Sequence, residues 1–118
     1  MADPSRPGLL MFMVEIDPEH EEEFNRWYNE EHLPERAHCP GFRSARRFKA
    51  IDGSSRYLAL YDLDSPEVLD GPDYGAIKGP TEWTLKMRNY YKNVQRHVFI
   101  EIFTADDLDP APVRGLSN

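Results

Sequence analysis

A histidine beside two glutamates, at the end of an aromatic-rich helix, is the first candidate for acid–base chemistry. The segment RWYNEEHLPERAHCPGF spans residues 26–42 and places His32 directly after Glu30 and Glu31. Adjacent carboxylates and the C-terminal end of a helix both favour the imidazolium, so we expect a raised pKa for His32. Such a group suits a general acid, or a base near neutral pH. The alternative is a structural role, in which His32 bonds the last helix carbonyls or closes a loop.

Tyr61 and Arg47 are candidates for stabilising negative charge that develops on a substrate. Both lie on predicted strands, and if their face of the sheet looks toward the helices, Tyr61 can donate a hydrogen bond or a proton there. Arg47 would then hold an enolate or a carboxylate. We therefore predict His32, Tyr61 and Arg47 as the catalytic residues. Tyr57 shares the face of Tyr61 but is more typical of an interface aromatic.

Aromatic side chains near these groups would favour a flat, aromatic substrate. Trp27 and Tyr28 lie on the apolar stripe of the helix, and His97 lies on the last strand among large apolar neighbours. The alternative is that these are core side chains, since large aromatic residues are most often buried. The predicted substrate-binding residues are Trp27, Tyr28, Glu31, Tyr74, Trp83 and His97.

The helix also carries a carboxylate that needs a partner. At about 100° per residue, Glu31 falls inside the apolar stripe and His32 falls at its margin. A buried carboxylate is costly without a partner, so we expect an arginine to pair with Glu31. The candidate partners are Arg36, Arg46 and Arg47. Pro34 disfavours helical geometry at the preceding residue, so the helix is expected to end at residues 32–33.

Composition excludes several classes of partner. The chain has 118 residues and a formal net charge of −7, with acidic residues spread along its length. It has no basic stripe for nucleic acid or anionic lipid, so neither is expected as a partner. The longest apolar run, residues 9–14, is too short to span a bilayer, and one cysteine gives no intrachain disulfide. We therefore expect a soluble, cytoplasmic protein.

Familiar cofactor and metal motifs are missing from the sequence. It contains no P-loop, no dinucleotide-binding G-x-G-x-x-G and no G-x-S-x-G nucleophile motif. His38 and Cys39 are adjacent, but no further ligands stand at a familiar zinc spacing. We accordingly predict no metal site and no cofactor.

Apolar patterns and turn signals predict the element order β-α-β-β-α-β. Strand patterns cover residues 8–17, 42–52, 56–64 and 95–105, and helix-start signals precede residues 18–33 and 82–93. This order is typical of a ferredoxin-like α+β fold, a four-stranded antiparallel sheet with helices on one face. Residues 70–83, rich in glycine and proline, are either a mobile lid or a degraded helix. We expect one domain, residues 8–105, between tails at residues 1–7 and 106–118.

The uncovered face of this sheet predicts a homodimer. Three of the four strands supply apolar or aromatic residues to both faces, whereas the helices cover only one face. A second copy packed on the bare face would bury the remaining apolar side chains.

The segments FNRWYNEEHLPERAHCPGFRSARRFKA and RYLALYDLDSPEVL, in this element order, resemble the EthD-like members of the dimeric α/β-barrel superfamily. The resemblance covers about residues 9–105 and implies that two sheets face each other across a dimer. It also implies that His32 matches the usual active-site histidine. The function that it implies is a cofactor-independent cyclase, isomerase or dehydratase acting on an aromatic or polyketide-like carbonyl compound.

Two other functions stay open for such a chain. One is an oxygenase on the same fold, either cofactor-independent or haem-dependent. The other is a non-catalytic ligand-binding or accessory protein of a degradation pathway. Because the superfamily hosts many reactions, the resemblance indicates the fold more strongly than the reaction.

Overall fold

A four-stranded antiparallel sheet with helices on one face makes up the computed structural model, which describes residues 3–108. The strands are β1 (Gly8–Glu15), β2 (Phe42–Lys49), β3 (Arg56–Leu63) and β4 (Lys92–Ile100). They lie in the order β2-β3-β1-β4, so β1 and β3 form the centre of the sheet. This is the topology of a ferredoxin-like fold, and the fold predicted from the sequence is confirmed.

Two helices, α1 and α4, begin where the sequence signals predict. The helical segments are α1 (Pro18–Trp27), a π-helical turn (Tyr28–His32), α2 (Leu33–Ala37), α3 (Pro72–Ile77) and α4 (Glu82–Arg88), with 3-10 turns at Pro66–Asp70 and Ala105–Asp107. Pro18 starts α1, where a missing N–H costs nothing. Thr81 caps α4, because its hydroxyl accepts a hydrogen bond from the Thr84 backbone N–H over 3.1 Å. Within residues 3–108, no helix is both long and apolar enough to cross a membrane.

The first helical run does not end before Pro34, so that prediction from the sequence is wrong. A π-helical turn precedes the proline, and the helix continues through α2 to Ala37. In this turn the Leu33 backbone N–H donates to the Tyr28 carbonyl, five residues back instead of four. Pro34 has no N–H to donate, and it therefore falls in the first turn of α2, where proline is tolerated.

The helix-covered face of the sheet forms the core. Alternate residues of β1 and β3 point into it, and Val14, Tyr61 and Leu63 are at most 1% exposed. Tyr57 points to the same face, where its ring centroid lies 5.2 Å from that of Phe24 on α1. The interpretation of Tyr57 as an interface aromatic is therefore wrong, because α1 covers it.

The opposite face of the sheet, called the open face below, presents several apolar side chains and is covered by no helix of residues 3–108. Its apolar residues are Leu9, Met11, Met13, Phe48, Leu58, Leu60 and Phe99. None of them is fully buried, and Phe48 and Phe99 are 42% and 47% exposed. The strands thus present apolar side chains on both faces, as their sequence pattern indicates.

Candidate active site

A cavity of about 150 Å³ lies between the helix-covered face of the sheet and the helices. Side chains from three strands and from the helical segments reach it. The lining residues are Leu10, Phe12, Tyr28, His32, Arg36, Tyr61, Tyr74, Lys78, Arg88, Tyr91 and Arg96. The structure therefore brings four of the predicted site residues together in one place, namely His32, Tyr61, Tyr28 and Tyr74.

The π-helical turn directs His32 toward this cavity. On a regular helix Glu31 would face the core and His32 would lie at the margin of the apolar stripe. The π-helical turn contains one residue more than an α-helical turn. Each later side chain therefore takes the direction that the preceding residue would have on a regular helix, and His32 takes the direction expected for Glu31. Arg36 follows His32 by four residues on the same helical run, and both side chains line the cavity.

His32 is enclosed by aromatic rings and is electrically neutral. Its ring centroid lies 4.6 Å from that of Trp27 and 4.9 Å from that of Tyr28. Burial, with added repulsion from the Arg36 and Arg88 guanidinium groups, lowers the pKa of His32 to about 3. The raised pKa expected from the sequence is wrong, because desolvation outweighs the helix end. The buried Nδ1 of the imidazole has no hydrogen-bond partner within the described part of the chain.

Four tyrosines line the cavity, Tyr28, Tyr61, Tyr74 and Tyr91, and their hydroxyls are potential hydrogen-bond donors. The hydroxyls of Tyr28 and Tyr61 are hydrogen-bonded to each other. Burial raises the pKa of Tyr61 to about 12, and it also raises the pKa values of Tyr28 and Tyr91. All three side chains are therefore protonated at neutral pH and can donate to an anion.

Four cationic side chains surround the cavity, and sequence reasoning assigned none of them to the site. Arg36 is only 7% exposed, and its guanidinium lies 5.8 Å from the ring centroid of Tyr74. The other three are Lys78, Arg88 and Arg96. The spacing of Arg36 from His32 was the one usable signal, since residues four apart share a helix face. The remaining cations come from other elements, so no local spacing connects them.

Glu31 supports the wall of the cavity instead of pairing with an arginine. Its Oε2 accepts hydrogen bonds from Trp27 Nε1 over 3.0 Å, from Thr81 Oγ1 over 2.7 Å and from Thr84 Oγ1 over 3.3 Å. The predicted pairing with an arginine is therefore wrong. The π-helical turn rotates the carboxylate toward the start of α4, where hydroxyl and indole donors satisfy it. Trp27, fully buried, lies behind His32.

Five of the nine predicted site residues do not line this cavity: Trp27 and Glu31, which support its wall, and three that lie elsewhere. Arg47 is on the helix-covered face, but its guanidinium lies 4.5 Å from the ring centroid of Tyr28 and lines a separate surface depression. Trp83 of α4 donates its indole N–H to Glu23 of α1 over 3.1 Å. His97 is exposed on β4 and lies on the open face.

Comparison with known protein families assigns most of the chain to one family. Residues 8–103 match the model of a domain of unknown function, DUF4286. The chain belongs to the DUF4286 family. No curated protein matches this DUF4286 chain. The family description gives no activity, so membership alone assigns no reaction, and placement among EthD-like proteins stays a prediction.

Solved structures share the fold of this DUF4286 chain at low sequence identity. A dimeric ferredoxin-like protein from an uncultured marine organism is 17% identical, with a TM-score of 0.67, over 86% of this chain and 94% of that one. A Deinococcus radiodurans protein that carries the name antibiotic biosynthesis monooxygenase is 8% identical, with a TM-score of 0.68, over 82% of this chain and 94% of that one.

A third similar structure is that of the haem degrader MhuD from Mycobacterium tuberculosis, with two haems bound in its active site. It is 15% identical, with a TM-score of 0.59, over 82% of this chain and 97% of that one. At these identities the similarity establishes the ferredoxin-like fold alone, and it carries no reaction over to the DUF4286 chain.

Proposed function

We propose that the cavity is the active site of a small enzyme that removes a proton from an aromatic or polyketide-like carbonyl compound. The observation that supports this most directly is the neutral, half-buried imidazole of His32 beside Arg36 and Arg88. A neutral imidazole can accept a proton, and the cationic side chains of the lining can stabilise the enolate or phenolate that results. His32 is thus the proposed general base.

The low pKa of His32 is compatible with this role. Part of the lowering comes from the positive charges of Arg36 and Arg88. When the substrate becomes an anion beside these groups, its charge offsets theirs and stabilises the imidazolium. Proton transfer to His32 and negative charge on the substrate therefore develop together. The hydroxyls of Tyr61 and Tyr91 can donate to the same anion.

We propose oxygenation as the fate of the deprotonated substrate. The names of the similar structures, a monooxygenase and a haem degrader, favour the oxygenase over the cyclase, isomerase or dehydratase. In the balanced reaction, a CH₂ group next to a carbonyl reacts with O₂ to give a new C=O group and water. One oxygen atom enters the product and the other leaves with both hydrogens, so no external reductant is consumed.

The size of the cavity favours a substrate with one ring and does not fit a haem. Its volume of about 150 Å³ is below the roughly 300–1,000 Å³ of pockets that bind drug-sized ligands. A porphyrin is larger than most drug-sized ligands, so it does not fit this cavity. A cavity of about this volume in another protein holds one benzene ring. The proposed reaction therefore takes place on a single-ring substrate without a haem.

We also propose that two chains pair through their open faces into a dimeric α/β barrel. The exposed apolar side chains of that face support this, as does the dimeric state of a similar structure. In such a dimer, His97 would lie at the interface instead of in the substrate cavity. Arg47 keeps a proposed supporting role, since it packs on the ring of Tyr28. We further propose that the protein is EthD-like and that it is located in the cytoplasm.

The test uses phenylacetone, a single-ring ketone with an acidic CH₂ group between ring and carbonyl. Deuterium exchange at this CH₂ group, followed by NMR in D₂O, reports proton abstraction. Uptake of O₂, with formation of the 1,2-diketone, reports oxygenation. Exchange without O₂ uptake would favour an isomerase or cyclase. Binding with neither exchange nor O₂ uptake would favour an accessory ligand-binding protein.

A further inference from the structure

We infer that the natural substrate is a single-ring aromatic carboxylate, whose carboxylate group is bound by the guanidinium groups of Arg36 and Arg88. The inference rests on the proposed function, since it concerns the same cavity, and it adds the charge of the substrate. Three observations support it: the positive charge of the lining, the poor neutralisation of that charge by protein carboxylates, and the shape of the apolar walls.

The charge of the cavity lining is opposite to that of the chain. The chain has a formal net charge of −7, yet among residues 3–108 the lining contains four cationic side chains and no carboxylate. These side chains are Arg36, Lys78, Arg88 and Arg96. Like charges around a confined cavity repel one another, and a bound anion relieves that repulsion. The cavity therefore selects negatively charged ligands.

The cations of the lining are poorly neutralised by the protein. Arg36 is 7% exposed, and its ion pair with Glu35 is long, at 3.6 Å. Lys78, Arg88 and Arg96 form no ion pair with any carboxylate in the part of the chain that the structure describes. Of these four cations only Arg36 is buried, and a buried guanidinium is costly unless it is paired, so a ligand anion would supply Arg36 with a partner at shorter distance.

The remaining walls fit an aromatic ring. Phe12 and Tyr91 lie side by side, with ring centroids 5.4 Å apart, and Leu10 adds aliphatic surface. Such walls favour a ring over a free inorganic anion, because they offer nothing to a hydrated ion. A planar carboxylate also matches the planar guanidinium of Arg36 in a two-bond geometry.

The experiment compares benzoate with benzamide, a neutral molecule of nearly the same shape, by calorimetric titration of the full chain. We expect benzoate to bind at least about tenfold more tightly than benzamide. Arg36→Met and Arg88→Gln should each weaken benzoate binding roughly 10- to 100-fold and leave benzamide binding unchanged. The matched control is Arg43→Gln, which removes an exposed guanidinium paired with Asp64 over 2.8 Å outside the cavity. This control should bind benzoate like the unchanged protein.

Three results would overturn the inference. They are equal affinities for benzoate and benzamide, equal losses in Arg88→Gln and Arg43→Gln, and inorganic phosphate binding as tightly as benzoate. If Arg36→Met does not fold, the comparison of Arg88→Gln with Arg43→Gln decides, because both side chains are exposed.

The binding test is independent of turnover. Preference for benzoate without oxidation of any ketone supports the inference and counts against the oxygenase. Oxidation of phenylacetone without preference for benzoate supports the oxygenase and overturns the inference.

Discussion

His32 packs against the indole of Trp27, with ring centroids 4.6 Å apart and ring planes 31° from parallel. The indole Nε1 donates in turn to Glu31 Oε2 over 3.0 Å. Glu31 therefore holds Trp27 in place, and Trp27 positions the imidazole at the cavity. Glu31 and His32 are neighbours in the sequence but differ in position: Glu31 supports the wall of the cavity, and His32 faces its interior.

Replacing His32 by glutamine should abolish proton abstraction while the fold persists. Glutamine fills similar space but cannot act as the base, and loss of a general base costs about 10²–10⁴-fold in rate. Deuterium exchange and O₂ uptake with phenylacetone measure the loss. His38→Gln, at an exposed histidine outside the cavity, should keep full activity. Full activity of His32→Gln would contradict the proposed base, and its failure to fold would indicate a structural role.

Stability should depend on pH through His32. The pKa of His32 is lowered from 6.5 to about 3 in the folded chain, so the unfolded chain binds the extra proton between these values. The free energy of unfolding therefore falls as pH drops from 6.5 toward about 3, by up to about 1.4 kcal/mol per pH unit. Urea unfolding of the protein and of His32→Asn across this range checks the slope. A slope that is the same in both would show that His32 is not buried as a neutral group.

Glu31→Gln should destabilise the fold. The carboxylate accepts hydrogen bonds from Trp27 Nε1 and Thr81 Oγ1, and loss of a charged acceptor in a part-buried site costs about 1–3 kcal/mol. Urea unfolding measures this change. Glu30→Gln is the control, since Glu30 forms a surface pair with Arg26 and its replacement should change stability by less than about 1 kcal/mol. Lost activity at unchanged stability would instead indicate that Glu31 acts on the substrate.

Leu60→Lys should convert the proposed dimer into a monomer. Leu60 lies on the open face, and a lysine there would be buried without a partner in the interface, which costs several kcal/mol. Sedimentation or light scattering at micromolar concentration measures the mass. Leu85→Lys is the control, because Leu85 is 51% exposed on α4, away from the open face. A chain that is monomeric before any substitution would refute the dimer.

The element order could be read from local patterns. β1 and β3 follow the apolar patterns of their sequence segments, and Pro18 and Thr81 mark helix starts. These signals depend only on residues that are close in the sequence, so they can be recognised without knowledge of the tertiary structure. The same kind of rule failed at Pro34, because the π-helical turn supplied an alternative bonding pattern that a proline tolerates.

The sequence by itself determined the ferredoxin-like fold, the apolar open face and the candidacy of His32. Only the tertiary structure decided which way His32 points and what charge it carries. Its neutrality comes from burial and from the guanidinium groups of Arg36 and Arg88, which lie on different helices. Desolvation depends on which elements pack together in space, and although Arg36 stands four residues from His32, no spacing along the chain predicts that Arg88 of α4 lines the same cavity.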